Sequence, residues 1–264
     1  VLITRVVTQG VKVAWTLLPS FAVRSPLTFT LFFHPNAAAR GADGWEPVGL
    51  PVVDQYYAID ADRRDWGAVT RARYKVRVEA GDEVFDSEPV EASGILSRRE
   101  WLIVREAVRQ RKLLYRRGRA SSGFLLKRRV AGETCPTCAD WQTDEATDSQ
   151  CPDCFGTGFR CGYYYPQGCA WARFDPFNRT QTIEPATGST AVELQRADML
   201  AIDLIEPGDI WVNGRTDDRY AVVTVQPTAV VNGVPVAANV VMRKIGFSSA
   251  IYSIPIPQRG GEIL

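Results

Sequence analysis

Cys135-Pro136-Thr137-Cys138 and Cys151-Pro152-Asp153-Cys154 set two CxxC pairs, twelve residues apart, at the spacing of a four-thiolate metal site. Zinc prefers four soft ligands in a tetrahedron, and two such turns present them at about 2.3 Å without a large fold around them. Cys135, Cys138, Cys151 and Cys154 are therefore the expected ligands of a structural zinc ion, with all four coordination positions filled. The second knuckle continues as Phe155-Gly156-Thr157-Gly158, where glycine lets the backbone turn back with its amides facing the sulfurs. Six cysteines leave Cys161 and Cys169 over. These two are candidates for a disulfide, or Cys161 replaces one of the four ligands; three disulfides and no metal is the remaining arrangement.

Outward from this unit the chain has an ordinary globular composition, 45% apolar and 23% charged over 264 residues. No run of eighteen apolar residues occurs, so no membrane-spanning helix is expected, and Val1-Leu2-Ile3-Thr4-Arg5 lacks the layout of a signal peptide. The formal charge is only +1, yet residues 98 to 129 hold twelve Lys/Arg against two Glu, so the remainder is near −9. Such asymmetry points to a part that meets an acidic partner, either nucleic acid or another protein's acidic face.

Residues 1–96 read as short strands. Val11–Trp15 and Tyr74–Val78 alternate as one-face-buried strands do, and Leu27–Phe33 and Tyr56–Ile59 are further strand candidates. Trp15, Tyr74-x-Val76-x-Val78 and Ser87-Glu88-Pro89-Val90 resemble the fibronectin type III pattern, a β-sandwich whose aromatic pair staples two sheets. Asn36–Gly44 and Asp60–Trp66 are expected to be exposed loops, and His34, the only histidine, a strand-end side chain without a role.

Residues 97–130 read as a basic helix and a connector. Ser97-Arg98-Arg99-Glu100 is a capping box, which starts a helix that runs to Arg117 and stops at Gly118. Trp101, Ile103, Val104, Ala107, Val108, Leu114 and Tyr115 are expected on its buried side. Arg105, Arg109, Lys112 and Arg116 fall together on the other, a solvated face or a docking face for an acidic partner. Gly118–Gly123 reads as a flexible connector, and Arg128 and Arg129 carry the basic character toward the metal unit, residues 131–175. Tyr163-Tyr164-Tyr165 are expected to pack over that small unit rather than to stack on bases.

From 176 to 250 the pattern returns to β: Ile210–Val212, Arg219–Val225, Thr228–Val231 and Val236–Arg243, with turns at Asn213-Gly214 and Asn232-Gly233, after a strand or short helix within Val192–Ile205. Residues 251–264, with Ile251, Tyr252 and Ile254 as contacts, read as an edge strand or an arm on another subunit, because Pro255 and Pro257 cannot donate to a central ladder. The fold class is thus mainly β with one central helix: an N-terminal sandwich, a zinc-ribbon-like insert and a C-terminal β-barrel-like domain.

This order of parts, with Leu126-Lys127-Arg128-Arg129, the knuckles ending in Gly156-Thr157-Gly158, Cys161-Gly162-Tyr163-Tyr164-Tyr165-Pro166, Gly208-Asp209-Ile210-Trp211-Val212-Asn213 and Phe247–Ile254, resembles virion proteins of contractile-tailed bacteriophages, neck or head-to-tail connector proteins in particular. The Gly-Asp-Ile…Tyr-x-Val-x-x-Val cadence is similar to the small β-barrels of phage head-closure and adaptor proteins. The resemblance implies a virion ring or collar subunit that contacts copies of itself and other virion proteins such as the portal or tail terminator. It implies no cofactor beyond structural zinc and no catalysis; a baseplate piece of the same particle shares the logic. The alternative is a zinc-ribbon nucleic-acid-binding module, which the near-neutral net charge disfavours. An enzyme is disfavoured more strongly: there is one histidine, no GxSxG, Walker A or HExxH pattern, and four thiolates leave zinc no open position.

Overall fold

The computed structural model describes residues 2–7, 10–17, 26–35, 44–61, 72–92, 97–118, 120–140, 145–164, 169–175, 194–200, 205–231 and 234–256. The anticipated loops at 36–43 and 62–66, the Asn232-Gly233 turn, Tyr165 and the chain beyond 256 lie outside them.

Residues up to 91 form a sandwich of two antiparallel sheets. One is β1 (Leu2–Val7), β2 (Gly10–Trp15) and β5 (Tyr57–Asp60); the other runs β4 (Glu46–Val53), β3 (Thr28–His34), β6 (Arg73–Ala80) and β7 (Glu83–Asp86), with β8 (Val90–Glu91) also on β6. Alternation in β3 and β6 sends Phe29, Leu31, Phe33, Tyr74, Val76 and Val78 inward to meet Val11, Val13 and Trp15. Trp15 and Phe29 lie 5.4 Å apart, and Phe29 and Tyr56 5.0 Å. β4, which the sequence reading passed over, carries Pro47 and Pro51 and pairs, among the described strands, with β3 alone, as an edge strand can. Asp60 is 1% exposed rather than the start of an exposed turn, because its carboxylate accepts the Tyr74 hydroxyl at 2.9 Å inside the sandwich.

Helix α1 (Arg98–Arg117) opens on the expected capping box: the Glu100 amide donates to Ser97 Oγ at 3.3 Å and the Ser97 amide to Glu100 Oε2 at 2.7 Å. Its buried line is narrower than anticipated. Trp101 and Val104 join the sandwich core and Tyr115 is buried, but Ile103 and Leu114 are exposed. The contact line runs Trp101, Val104, Val108, Arg111, Tyr115, and Arg111 sits in it because its guanidinium meets both Asp198 oxygens at 2.9 Å.

A closed six-stranded antiparallel barrel follows, in the cyclic order β10 (Cys169–Phe174), β11 (Leu194–Leu200), β14 (Val234–Lys244), β13 (Arg219–Val231), β12 (Ile210–Asn213), β9 (Ser121–Leu126). Two sequence readings need correction here. Ser121–Gly123 is no flexible connector but the start of β9, which closes the barrel between β10 and β12. The two strands expected at Arg219–Val225 and Thr228–Val231 are one, carried past Pro227 by register shifts. The far end of this long hairpin reaches the sandwich core through Val234 and Val236.

The barrel is filled. Trp211, fully buried, donates Nε1 to the Ala170 carbonyl at 3.1 Å and packs against Phe174 and Tyr220, with Met199, Val240 and Met242 around them. Gly123 is where this ring needs room: a Cβ there would lie 2.7 Å from the Trp211 ring and 2.1 Å from the Val212 carbonyl oxygen.

The stretch after β14 corrects the expectation of an external arm as far as residue 256. Ala250–Ser253 forms a 3-10 turn, and Ile251, Ile254 and Ile256 pack on Leu126, Ile210 and Val212 of their own barrel. Arg219, 2% exposed, is the clasp: its guanidinium donates to the Ile251 and Ile254 carbonyls and lies 4.9 Å over the Tyr252 ring. Tyr252 in turn accepts the Arg219 amide and donates to the Ile245 carbonyl, both at 3.2 Å.

Gly123→Ala is expected to lower stability by about 1–3 kcal/mol by forcing the β9–β12 ladder and the Trp211 ring apart. Urea unfolding followed by tryptophan fluorescence measures this, with an emission shift as Trp211 gains water.

Candidate metal centre

Two short hairpins build the ribbon. Cys135 and Arg160 donate backbone amides to Gly158 and Glu133, while Asp140 and Thr147 donate to Glu145 and Cys138. Each CxxC turns on itself: the Ala139 amide bonds the Cys135 carbonyl at 3.1 Å and the Phe155 amide the Cys151 carbonyl at 2.8 Å. The second knuckle then needs left-handed backbone at Phe155, Gly156 and Gly158, with φ of 54°, 77° and 84°. That is the purpose of the glycines after the ligands.

These turns bring the Sγ atoms of Cys135, Cys138, Cys151 and Cys154 within 4.8 Å of one another. Cys135 and Cys151 are 3.7 Å apart, Cys138 and Cys154 3.3 Å. Four sulfurs tetrahedral about one ion at about 2.3 Å would sit roughly 3.8 Å apart, whereas a disulfide needs about 2.05 Å. The four cysteines could therefore hold a metal ion, and they are not paired as disulfides. Cys135, Cys151 and Cys154 are buried and Cys138 half-buried. Burial opposes a charge on Cys151, but the amides of Cys154 and Asp153 bring its thiol down to about 7. Burial also raises the Cys154 thiol, against the amides of Gly158 and Gly156 that favour its thiolate. A metal ion held here would take the charge of all four sulfurs.

Cys161 is not a fifth member of the cluster. It is an exposed free thiol at φ 63°, which removes both the Cys161–Cys169 disulfide and its use as a substitute ligand. Cys169 opens β10, and its side chain lies outside the described residues.

The tyrosines beyond the knuckles tie the ribbon to both larger modules. Tyr164 is buried against the sandwich: its hydroxyl accepts the Tyr56 amide at 3.3 Å, and its ring meets Tyr57 edge-on at 5.4 Å. Burial, then the Asp54 charge, push the Tyr56 phenol up to about 12, and burial raises Tyr164, so both stay neutral. Tyr163 faces the barrel and donates to the Gly208 carbonyl at 3.4 Å. Beneath it Lys127 is buried with Asp209 at 2.6 Å, and Asp209 also accepts the Arg128 and Glu206 amides. Gln150 of the ribbon accepts the Ala250 amide at 3.1 Å, tying in the C-terminal turn.

The anticipated partner-binding residues divide. Arg105, Arg109, Lys112 and Arg116 are all exposed on α1; Arg109 forms a fork with Glu106 at 2.8 Å, and Lys112 and Arg116 have no ion pair among the described residues. Arg128 is exposed. Arg129 is used internally, donating to the Asp54 carbonyl at 3.1 Å and lying 4.7 Å over the Tyr164 ring. Ile251, Tyr252 and Ile254 likewise serve their own barrel. The sequence reading missed Arg219, Asp209 and Tyr56; Asp209, after Pro207-Gly208, was the one with a local signal, since a turn leading into a strand favours a carboxylate that accepts nearby amides.

Comparison of the chain with protein-family models, curated proteins and solved structures returns no match.

Native mass spectrometry is expected to find about one divalent ion per chain, and a thiol reagent to modify Cys161 while Cys135, Cys138, Cys151 and Cys154 stay protected until a chelator is added. Equal reactivity of all five without chelator would contradict a shared ion.

Proposed function

We propose that this chain is a structural virion protein of a contractile-tailed phage, a ring or collar subunit of the neck or head-to-tail connector. In this reading Cys135, Cys138, Cys151 and Cys154 hold structural zinc, and the chain works by contact with copies of itself and with neighbouring virion proteins. The observation that carries it is the three-way lock at the ribbon: Tyr164 on the sandwich, Tyr163 on the barrel and Gln150 on the C-terminal turn. A ring subunit transmits load through many modest contacts and gains from modules that cannot swing. Thiolates are the donors zinc takes in closed, non-catalytic sites, and a ribbon with so small a core needs such a clip.

The exposed Arg105, Arg109, Lys112 and Arg116 face favours, as a second reading, a nucleic-acid-binding module. Immunogold labelling of purified particles that carry the chain separates the readings. Gold is expected at the junction of head and tail; label at the far end of the tail would place the chain in the baseplate. Its absence from salt-washed particles, with salt-sensitive DNA binding by the purified chain, would favour the second reading.

A further inference from the structure

We propose that the basic face of α1 docks on the acidic metal ribbon of a second copy of this chain, in a head-to-tail contact. The inference rests on the ring-subunit reading above and names the surfaces that close the ring.

The charge opposing the helix is not spread evenly. Residues 130–175 hold seven Asp/Glu against two Arg, a net −5 in the short segment that contains the ribbon. Of these, Glu145, Asp148 and Asp153 are exposed, whereas Arg160 is engaged with Glu133 at 3.1 Å. The exposed helix face is the counterpart: Arg105, Arg109, Lys112 and Arg116 recur every three or four residues, so they form one stripe along α1. Leu102, 45% exposed beside them, adds an apolar contact.

No hydrogen bond or ion pair among the described residues joins the stripe to the ribbon; Arg109 pairs only with Glu106 on its own helix. Barrel topology gives the reason. Arg111 ties α1 to Asp198 of β11, while the ribbon grows from the end of β9 and bonds Gly208 in the turn that leads into β12. In the closed order, β11 and β12 are separated by β14 and β13 one way round and by β10 and β9 the other. The Arg111 and Tyr163 anchors thus meet the barrel at strands that are not neighbours. Two different, complementary surfaces on one chain make a heterologous contact, which propagates from copy to copy and closes where the rotation allows. Complementary charge sets the register and speeds encounter; partly exposed pairs of this kind weaken as salt screens them over about 10 Å at 0.1 M.

A charge swap in the full-length, metal-loaded chain tests this. One variant carries Arg105→Glu, Arg109→Glu, Lys112→Glu and Arg116→Glu; the other carries Glu145→Lys and Asp153→Lys. Sedimentation velocity at low salt is expected to show association of the wild type, at least about tenfold weaker association of each variant alone, and restored association in their equimolar mixture, because each altered surface then meets a complementary one. Circular dichroism and metal content verify that both variants fold. The inference is overturned if folded variants associate like wild type, if the mixture stays as dissociated as its parts, or if the wild type does not associate while the helix variant loses only DNA binding. Unchanged association in both variants, with gold at the particle neck, would discard these surfaces and leave the ring-subunit reading intact. Absence of the chain from particles would remove that reading whatever the swap shows.

Discussion

Four sulfurs gathered within 4.8 Å hold a ribbon whose buried apolar cluster consists of Cys135, Cys151 and Cys154, with Cys138, Ala139 and Ala146 beside them. Such a cluster is too small to offset the chain entropy of some thirty residues. The ribbon's geometry therefore depends on the thiolate site, and the positions of Tyr163 and Tyr164 depend on the ribbon. Through those rings the dependence spreads. Among the described residues the Tyr56 amide finds its acceptor in Tyr164, and the carbonyl of Tyr56 accepts from Trp15 at the centre of the sandwich. On the other side the Lys127–Asp209 pair is covered where Tyr163 meets Gly208. Removing one member of a buried pair like this typically costs about 3–5 kcal/mol, so keeping water from it matters to the barrel as much as to the ribbon.

The ribbon is not the only joint. Trp101 and Val104 of α1, together with Val234 and Val236 at the tip of the long hairpin, enter the sandwich core, while Arg111 holds the helix to the barrel through Asp198. Sandwich and barrel are thus bridged by the helix and the hairpin tip and again by the ribbon that carries the four cysteines.

What could be read from the sequence was local. The CxxC spacing, the Ser97–Glu100 box, the alternation of β3 and β6 and the barrel strand at Ile210–Asn213 each depend on residues within a turn or a few positions of one another. What could not be read depended on partners far along the chain. Ser121–Gly123 looks like part of a linker until Trp211, some ninety residues later, requires a glycine where its ring approaches the strand. The C-terminal turn looks like a free arm because its anchor, Arg219, gives no sign that its guanidinium will be buried under Ile251 and Ile254. Exposed Ile103 and Leu114 were assigned inward for the same reason: helical periodicity fixes which residues share a side, and the Arg111–Asp198 contact fixes which side turns in. The clustering of the four cysteines was legible because each CxxC pair closes in a short turn, whereas the use of Tyr164 and Arg129 between modules was not.

The most direct measurement is backbone hydrogen exchange of the metal-loaded chain before and after chelation, read at the Tyr56 amide and at the amides of Arg128 and Glu206 that bond Asp209. If the metal-dependent ribbon locks sandwich and barrel together, protection at Tyr56 falls sharply on chelation and that at Arg128 and Glu206 falls with it, while the β3–β6 and β13–β14 ladders keep theirs. Unchanged protection at all three amides once the metal is gone would show that the modules are joined without it.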